Sequence, residues 1–254
     1  MNGFTAFLKK ELLEYTRTYK LFIMLTIFAI FGILNPLTAK LLPDILGGIM
    51  TDGITITLPP PYALDSWAQF FKNATQICLI VTALVFSGIL SSELSRGTLI
   101  NMLTKGLSRA AVILAKYAGM ALVWTASIWL CFGLTFGYTV WLFPNDEVTS
   151  LFFSAACLWL FGMFLIAFLL FASTLTKNSY GCLLIVGTAI VALMLINIAP
   201  GAREFNPLTL VSANMALLTG DAKPYSLYTP ALISLSLSAA SVAAAVLIFR
   251  KKQL

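Results

Sequence analysis

Residues 151–175 read LFFSAACLWLFGMFLIAFLLFASTL, 25 positions without a single charged side chain. About 20 apolar residues in a helix cross the hydrocarbon layer of a bilayer. A helix on the surface of a soluble domain keeps a polar face, and this stretch has none. It reads as a membrane span, and the chain around it repeats the pattern. Upstream lie 21–39, 67–92 and 110–142, and downstream lie 180–199 and 230–249. Over all 254 residues the composition is 59% hydrophobic and 10% charged, with mean hydropathy +0.93. Soluble domains hold roughly 45–50% apolar and about 25% charged residues. So much apolar surface needs lipid as its solvent. The expected fold class is an all-α membrane protein with six transmembrane helices, forming a single transmembrane domain over 1–254.

The same composition excludes several chemistries. There is no histidine, so imidazole ligands, bases and catalytic triads are absent. Cys78, Cys131, Cys157 and Cys182 each lie in apolar sequence with no CxxC spacing, and they read as small buried hydrophobes. No HExxH, GxSxG or CaaX pattern occurs, and no Gly-Lys dipeptide, which removes the P-loop. No catalytic residue and no metal site are expected.

Charge sets the expected orientation. With both termini cytoplasmic, 12 of the 16 basic residues fall inside, and only Lys40, Lys72, Arg203 and Lys223 fall outside. That is the positive-inside pattern of a multi-pass protein of a cell (inner or plasma) membrane. The formal net charge of +6 therefore speaks of topology rather than of nucleic acid.

Three connections carry more than hydrophobicity. Residues 1–20 form an expected interfacial helix, with Phe4, Phe7, Leu8, Leu12, Tyr15 and Tyr19 on one face. Lys9, Lys10, Arg17 and Lys20 lie opposite, while Glu11 falls near the apolar stripe. Glu11 is either a polar contact to a partner or the cytoplasmic loop, or a solvated carboxylate. Residues 91–116 read SSELSRGTLINMLTKGLSRAAVILAK, with Leu99, Met102 and Leu103 at helical spacing between Gly97 and Gly106. A short helix under the membrane is expected there, or a basic loop that only sets topology. Residues 200–229 are too apolar for a solvated loop and too short for two spans. A helix or helical pair dipping into the outer leaflet is expected. Within the spans, Thr75, Gln76, Thr188 and Asn197 stand out as polar. They either join helices by hydrogen bonds or line a cavity.

This order of features resembles the membrane subunit of ABC-2 type transporters. The likeness rests on Glu93, Gly97-Thr98, Leu99 to Leu103, Ser108-Arg109 and Lys116, and on Asn206-Pro207 before the sixth span. The resemblance implies a permease that pairs with a second copy or a paralogue. Each half would dock on a separate cytoplasmic ATPase, two copies in all. ATP and Mg would be held by that partner, with no cofactor on this chain. Residues 93–109 would be the coupling segment, with Glu93, Arg96, Gly97, Thr98, Leu99, Met102, Leu103 and Arg109 as ATPase-coupling residues. Lys177 would make a second contact, and spans two and five would face each other across the dimer axis. The implied work is export, and the weakly charged span interiors suit an amphipathic or apolar cargo, such as a lipid-linked molecule, a peptide or a drug. A non-transporting scaffold or immunity protein and an intramembrane enzyme are the alternatives.

Overall fold

A computed structural model describes residues 3–49, 60–95, 97, 99, 104, 106–144 and 148–252, and no strand occurs among them. The helices are α1 Gly3–Arg17, α2 Lys20–Ile49, α3 Ala63–Asn73, α4 Leu79–Phe86, α5 Ser91–Ser95 and α6 Arg109–Leu142. They continue with α7 Leu151–Leu175, α8 Ser179–Ile196, α9 Thr209–Ser212, α10 Asn214–Thr219 and α11 Tyr228–Lys251. A π-helical turn, Ala74–Cys78, joins α3 to α4.

Among the described residues, six stretches are long and apolar enough to cross a membrane: Lys20–Pro43, Ala63–Ser95, Arg109–Leu142, Leu151–Leu175, Ser179–Ile196 and Pro224–Lys251. We refer to them as spans 1 to 6. Each overlaps a stretch read from the sequence. Span 2 starts earlier than hydropathy implied, because α3 is amphipathic and buries Trp67, Phe70 and Phe71. The Asp65 carboxylate accepts the Tyr62 backbone N–H at 2.9 Å and fixes that helix start.

Span 4 is the centre of the bundle, with 67% of its apolar window buried against 11% for span 5. A helix that is apolar all round can be enclosed on every side. Two tryptophans lock span 3 to span 4. Trp124 donates to the Trp159 carbonyl at 3.0 Å, and Trp159 donates to Thr125 Oγ1 at 2.9 Å. Gly162 makes this possible, since a Cβ there would occupy the Trp124 ring. All four cysteines are buried and free.

Spans 1 and 3 meet along a second seam. Pro36 lies inside α2 and has no N–H to give to the carbonyl of Gly32, four residues back. Thr135 of α6 supplies the missing bond, its hydroxyl donating to that carbonyl at 3.0 Å. Gly32 permits the approach, because a Cβ would stand 2.9 Å from the Cys131 carbonyl oxygen.

Between spans 5 and 6, α9 and α10 form a pair of short helices that bury Leu210, Val211, Leu217 and Leu218. Asn206 fastens this segment to span 5. Its amide donates to the Leu193 carbonyl at 2.7 Å, and its Oδ1 accepts the Leu208 N–H at 3.0 Å. Thr149 ties the other end, donating to the Leu218 carbonyl at 2.9 Å.

Candidate functional site

The N-terminal helix does not lie free at a surface. It turns Phe7, Glu11 and Tyr15 into the protein, a stripe repeating every four residues. Glu11 is 0% exposed and Lys116, on span 3, is 1% exposed. Lys116 Nζ donates to both Glu11 carboxylate oxygens at 3.0 Å and pairs with Glu93 at 2.6 Å. Lys10 completes the cluster, at 2.6 Å from Glu93 and from Glu14 and 3.0 Å from Glu11. The Phe7 ring lies 5.1 Å from the Lys10 ammonium and 5.7 Å from that of Lys116. Glu93 belongs to α5, at the C-terminal end of span 2. One cluster therefore ties α1, the end of span 2 and the start of span 3.

Electrostatics explain why these charges tolerate burial. Two ammonium groups face three carboxylates at contact distance, and removing one member would leave an uncompensated charge. Burial lowers the Lys10 pKa, but hydrogen bonds to Glu14 and Glu93 and the charges of Glu11 and Glu93 outweigh it. The net shift is upward from the ordinary 10.5. The three carboxylates lie close enough for a shared cation. Lys10 and Lys116 already supply their counter-charge, so the cluster is an ion network rather than a metal centre.

A second anchorage closes the same end of the bundle. Arg109 donates to the carbonyls of Phe249 at 2.9 Å and Arg250 at 3.1 Å, at the C-terminus of α11. Its guanidinium lies 5.9 Å from the centre of the Phe249 ring. Lys252 returns the arrangement, donating to the Thr174 carbonyl near the end of α7 at 2.8 Å. Cations at helix C-termini meet unpaired carbonyls and the negative end of the helix dipole.

Of the residues expected to couple to an ATPase, Glu93 and Leu99 face inward, Leu99 at 1% exposure. Arg109 is engaged by α11. Gly97, just after the end of α5, and Gly106 both adopt positive φ. Lys177 is exposed, as are Lys9 and Arg17 of α1. Arg96, Thr98, Met102 and Leu103 lie outside the described residues.

The polar residues of the spans separate into two groups. Thr75 and Gln76 fall in the π-helical turn and line an apolar groove of about 460 Å³ between spans 2 and 5. Leu79, Ile80, Leu165 and Ile190 form much of its wall. Thr188 is exposed on a neighbouring shallow face with Tyr180 and Leu184. Asn197 caps the end of α8 and does not line that groove. Its Oδ1 accepts from Thr209 Oγ1 at 3.4 Å, and its backbone carbonyl accepts from Arg203 at 2.9 Å.

Sequence reading left Lys116 as a motif residue and missed its role. The signal was available: Glu11 sits on an apolar stripe, and Lys116 is a lone cation among apolar neighbours. Each needs the other. No sequence signal marks the π-helical turn, which contains neither Gly nor Pro.

Two comparisons bear on identity. No family model matches the chain. It is similar to the uncharacterized transmembrane protein YxlG of Bacillus subtilis strain 168, at 23% identity over 168 residues. The match covers 65% of this chain and 64% of that protein, less than two thirds of either. Together with the six apolar helices, the chain is a multi-pass membrane protein.

Proposed function

We propose that this chain is the permease subunit of an ATP-driven exporter of the ABC-2 type, working with a separate P-loop ATPase. The observation that carries the reading is the buried cluster of Lys10, Glu11, Glu93 and Lys116. It joins an amphipathic helix, the end of span 2 and the start of span 3 at one end of the bundle. Force applied to the segment after α5 reaches span 2 and span 3 together. Glu93 and Arg109 act in this scheme as internal links rather than as contact residues. Exposed Lys177 is left to meet the ATPase, together with Arg96, Thr98, Met102 and Leu103 of the coupling segment.

Orientation follows from charge. Lys10, Lys20, Arg109, Lys116, Lys177 and Arg250 to Lys252 gather at the end that holds α1 and the end of α11, and we assign this end to the cytoplasm. The groove between spans 2 and 5 then opens on a second copy of the chain or a paralogue, and α9 and α10 dip into the outer leaflet. ATP and Mg belong to the two ATPase subunits. Apolar walls with few polar groups suit an amphipathic cargo.

Co-expression with a P-loop ATPase from the same genome tests the proposal. The ATPase should co-purify through the membrane fraction, and vesicles holding both proteins should move cargo only with ATP. Cargo movement that proceeds without any ATPase would remove the reading.

A further inference from the structure

Two cavities on span 2 share a wall. The apolar groove described above is one. The other, of about 230 Å³, lies between span 2 and the helix pair α9–α10 and is lined by Lys72, Thr75, Gln76, Ser212, Asn214 and Met215 among others. Thr75 and Gln76 belong to both, so a polar pocket continues into an apolar slot.

The polar pocket has unsatisfied walls. Asn214 is 1% exposed, and its amide donates to the Val211 carbonyl at 3.1 Å, while its Oδ1 has no partner. The buried Thr75 hydroxyl has none either. A helical threonine ordinarily returns its hydroxyl to the preceding turn, as Thr82 does to the Cys78 carbonyl at 2.7 Å. Thr75 sits in the π-helical turn and leaves its hydroxyl spare. Such turns are frequent at functional sites. Lys72 is exposed, and no ion pair among the described residues involves it. Buried polar atoms are normally satisfied, and here two unsatisfied ones line a single cavity beside an exposed cation.

The geometry points to a seat for a single phospholipid, its head group in the polar pocket and one acyl chain in the groove. Lys72 meets the phosphate. Asn214 Oδ1 can only accept, so the head group must carry an N–H or O–H donor beside the phosphate. Ethanolamine and glycerol head groups have one, and choline does not. The Thr75 hydroxyl serves either partner. From Gln76 to Leu84 the groove follows span 2 for about 12 Å at 1.5 Å per residue, which suits an extended acyl chain. Lys72 is an exposed cation at the pocket with no ion pair among the described residues, so an anion is the complement it calls for. That this lipid is the cargo rests on the permease reading; that it binds does not.

Native mass spectrometry of the purified full chain, without any ATPase, tests the seat. The probes are single-chain phosphatidylethanolamine, single-chain phosphatidylcholine and free phosphoethanolamine. One ethanolamine lipid should bind per chain, about tenfold tighter than the choline lipid, equivalent to about 1.4 kcal/mol. The free head group should bind more weakly than the lipid. Lys72→Gln and the nearly isosteric Thr75→Val should each weaken the ethanolamine lipid several-fold, with melting temperatures checked to confirm folding. Equal retention of ethanolamine and choline lipids would overturn the proposal. So would unchanged binding by both folded variants, or a free head group that binds as tightly as the lipid. Failure here leaves ATPase association intact, and failure of ATPase association leaves this lipid binding intact.

Discussion

Glu11 and Lys116 carry the residue-scale case. Both are almost fully enclosed, and their two 3.0 Å contacts cross 105 positions of sequence. Truncating one member of a buried pair costs about 3–5 kcal/mol, whereas replacing both by apolar residues is often close to neutral. Lys116→Met alone should therefore destabilise the chain strongly. Glu11→Leu together with Lys116→Met should recover most of that loss. Thermal unfolding in detergent reads both, and an additive double variant would mean the two residues do not interact. Lys10 adds a pH expectation. Its pKa is raised on folding, so its contribution is complete below the ordinary 10.5 and fades only as pH rises through the higher folded value. Hydrogen exchange of α1, corrected for intrinsic rates, should give the same opening free energy at pH 7 and pH 9. Loosening of α1 at pH 9 would contradict the ion network. The sequence shows Glu11 against the helical pattern, but not its partner, because pairing across 105 residues depends on how spans pack.

At the scale of elements, hydropathy located all six spans, since bilayer thickness dictates their length. What it could not locate were the seams. Pro36 has no N–H to close the helix there, yet α2 continues through it because Thr135 satisfies the freed Gly32 carbonyl. Thr135→Val should cost about 0.6 kcal/mol, the usual size of an interhelical bond in a membrane. In a Pro36→Ala background, where the helix closes its own bond, the same change should cost much less. Equal cost in both backgrounds would show that the hydroxyl does not serve that carbonyl. Gly32→Ala should be worse, about 1–3 kcal/mol, because its Cβ meets the backbone of α6. The cavity residues divide for similar reasons. Thr75 and Gln76 reach the groove through a π-helical turn that composition does not announce. Asn197 reads as part of span 5 yet caps its end, because Arg203 and Thr209 fold back onto it.

For the whole molecule, the contrast between spans 4 and 5 matters most. Span 4 is enclosed, and span 5 offers Leu184, Val191, Met194 and Leu195 to its surroundings. Such an apolar face is at home in lipid and equally suited to a second copy. Cysteine pairs engineered on that face of span 5 should cross-link two copies in membranes, and their failure to do so would remove the dimer axis from the proposal. The central claim is narrower: the ion cluster carries force from an ATPase to spans 2 and 3. Its most direct test is a comparison in vesicles containing this chain and its ATPase, with ATP turnover and movement of a fluorescent phospholipid recorded together. The Glu11→Leu/Lys116→Met variant, which should fold and retain the ATPase, is predicted to keep ATP turnover within about twofold. Its lipid movement should fall about tenfold or more, equivalent to at least about 1.4 kcal/mol of lost coupling. Lipid movement at the unmodified rate, with the Glu11–Lys116 link to span 3 removed and the ATPase still bound, would contradict the claim.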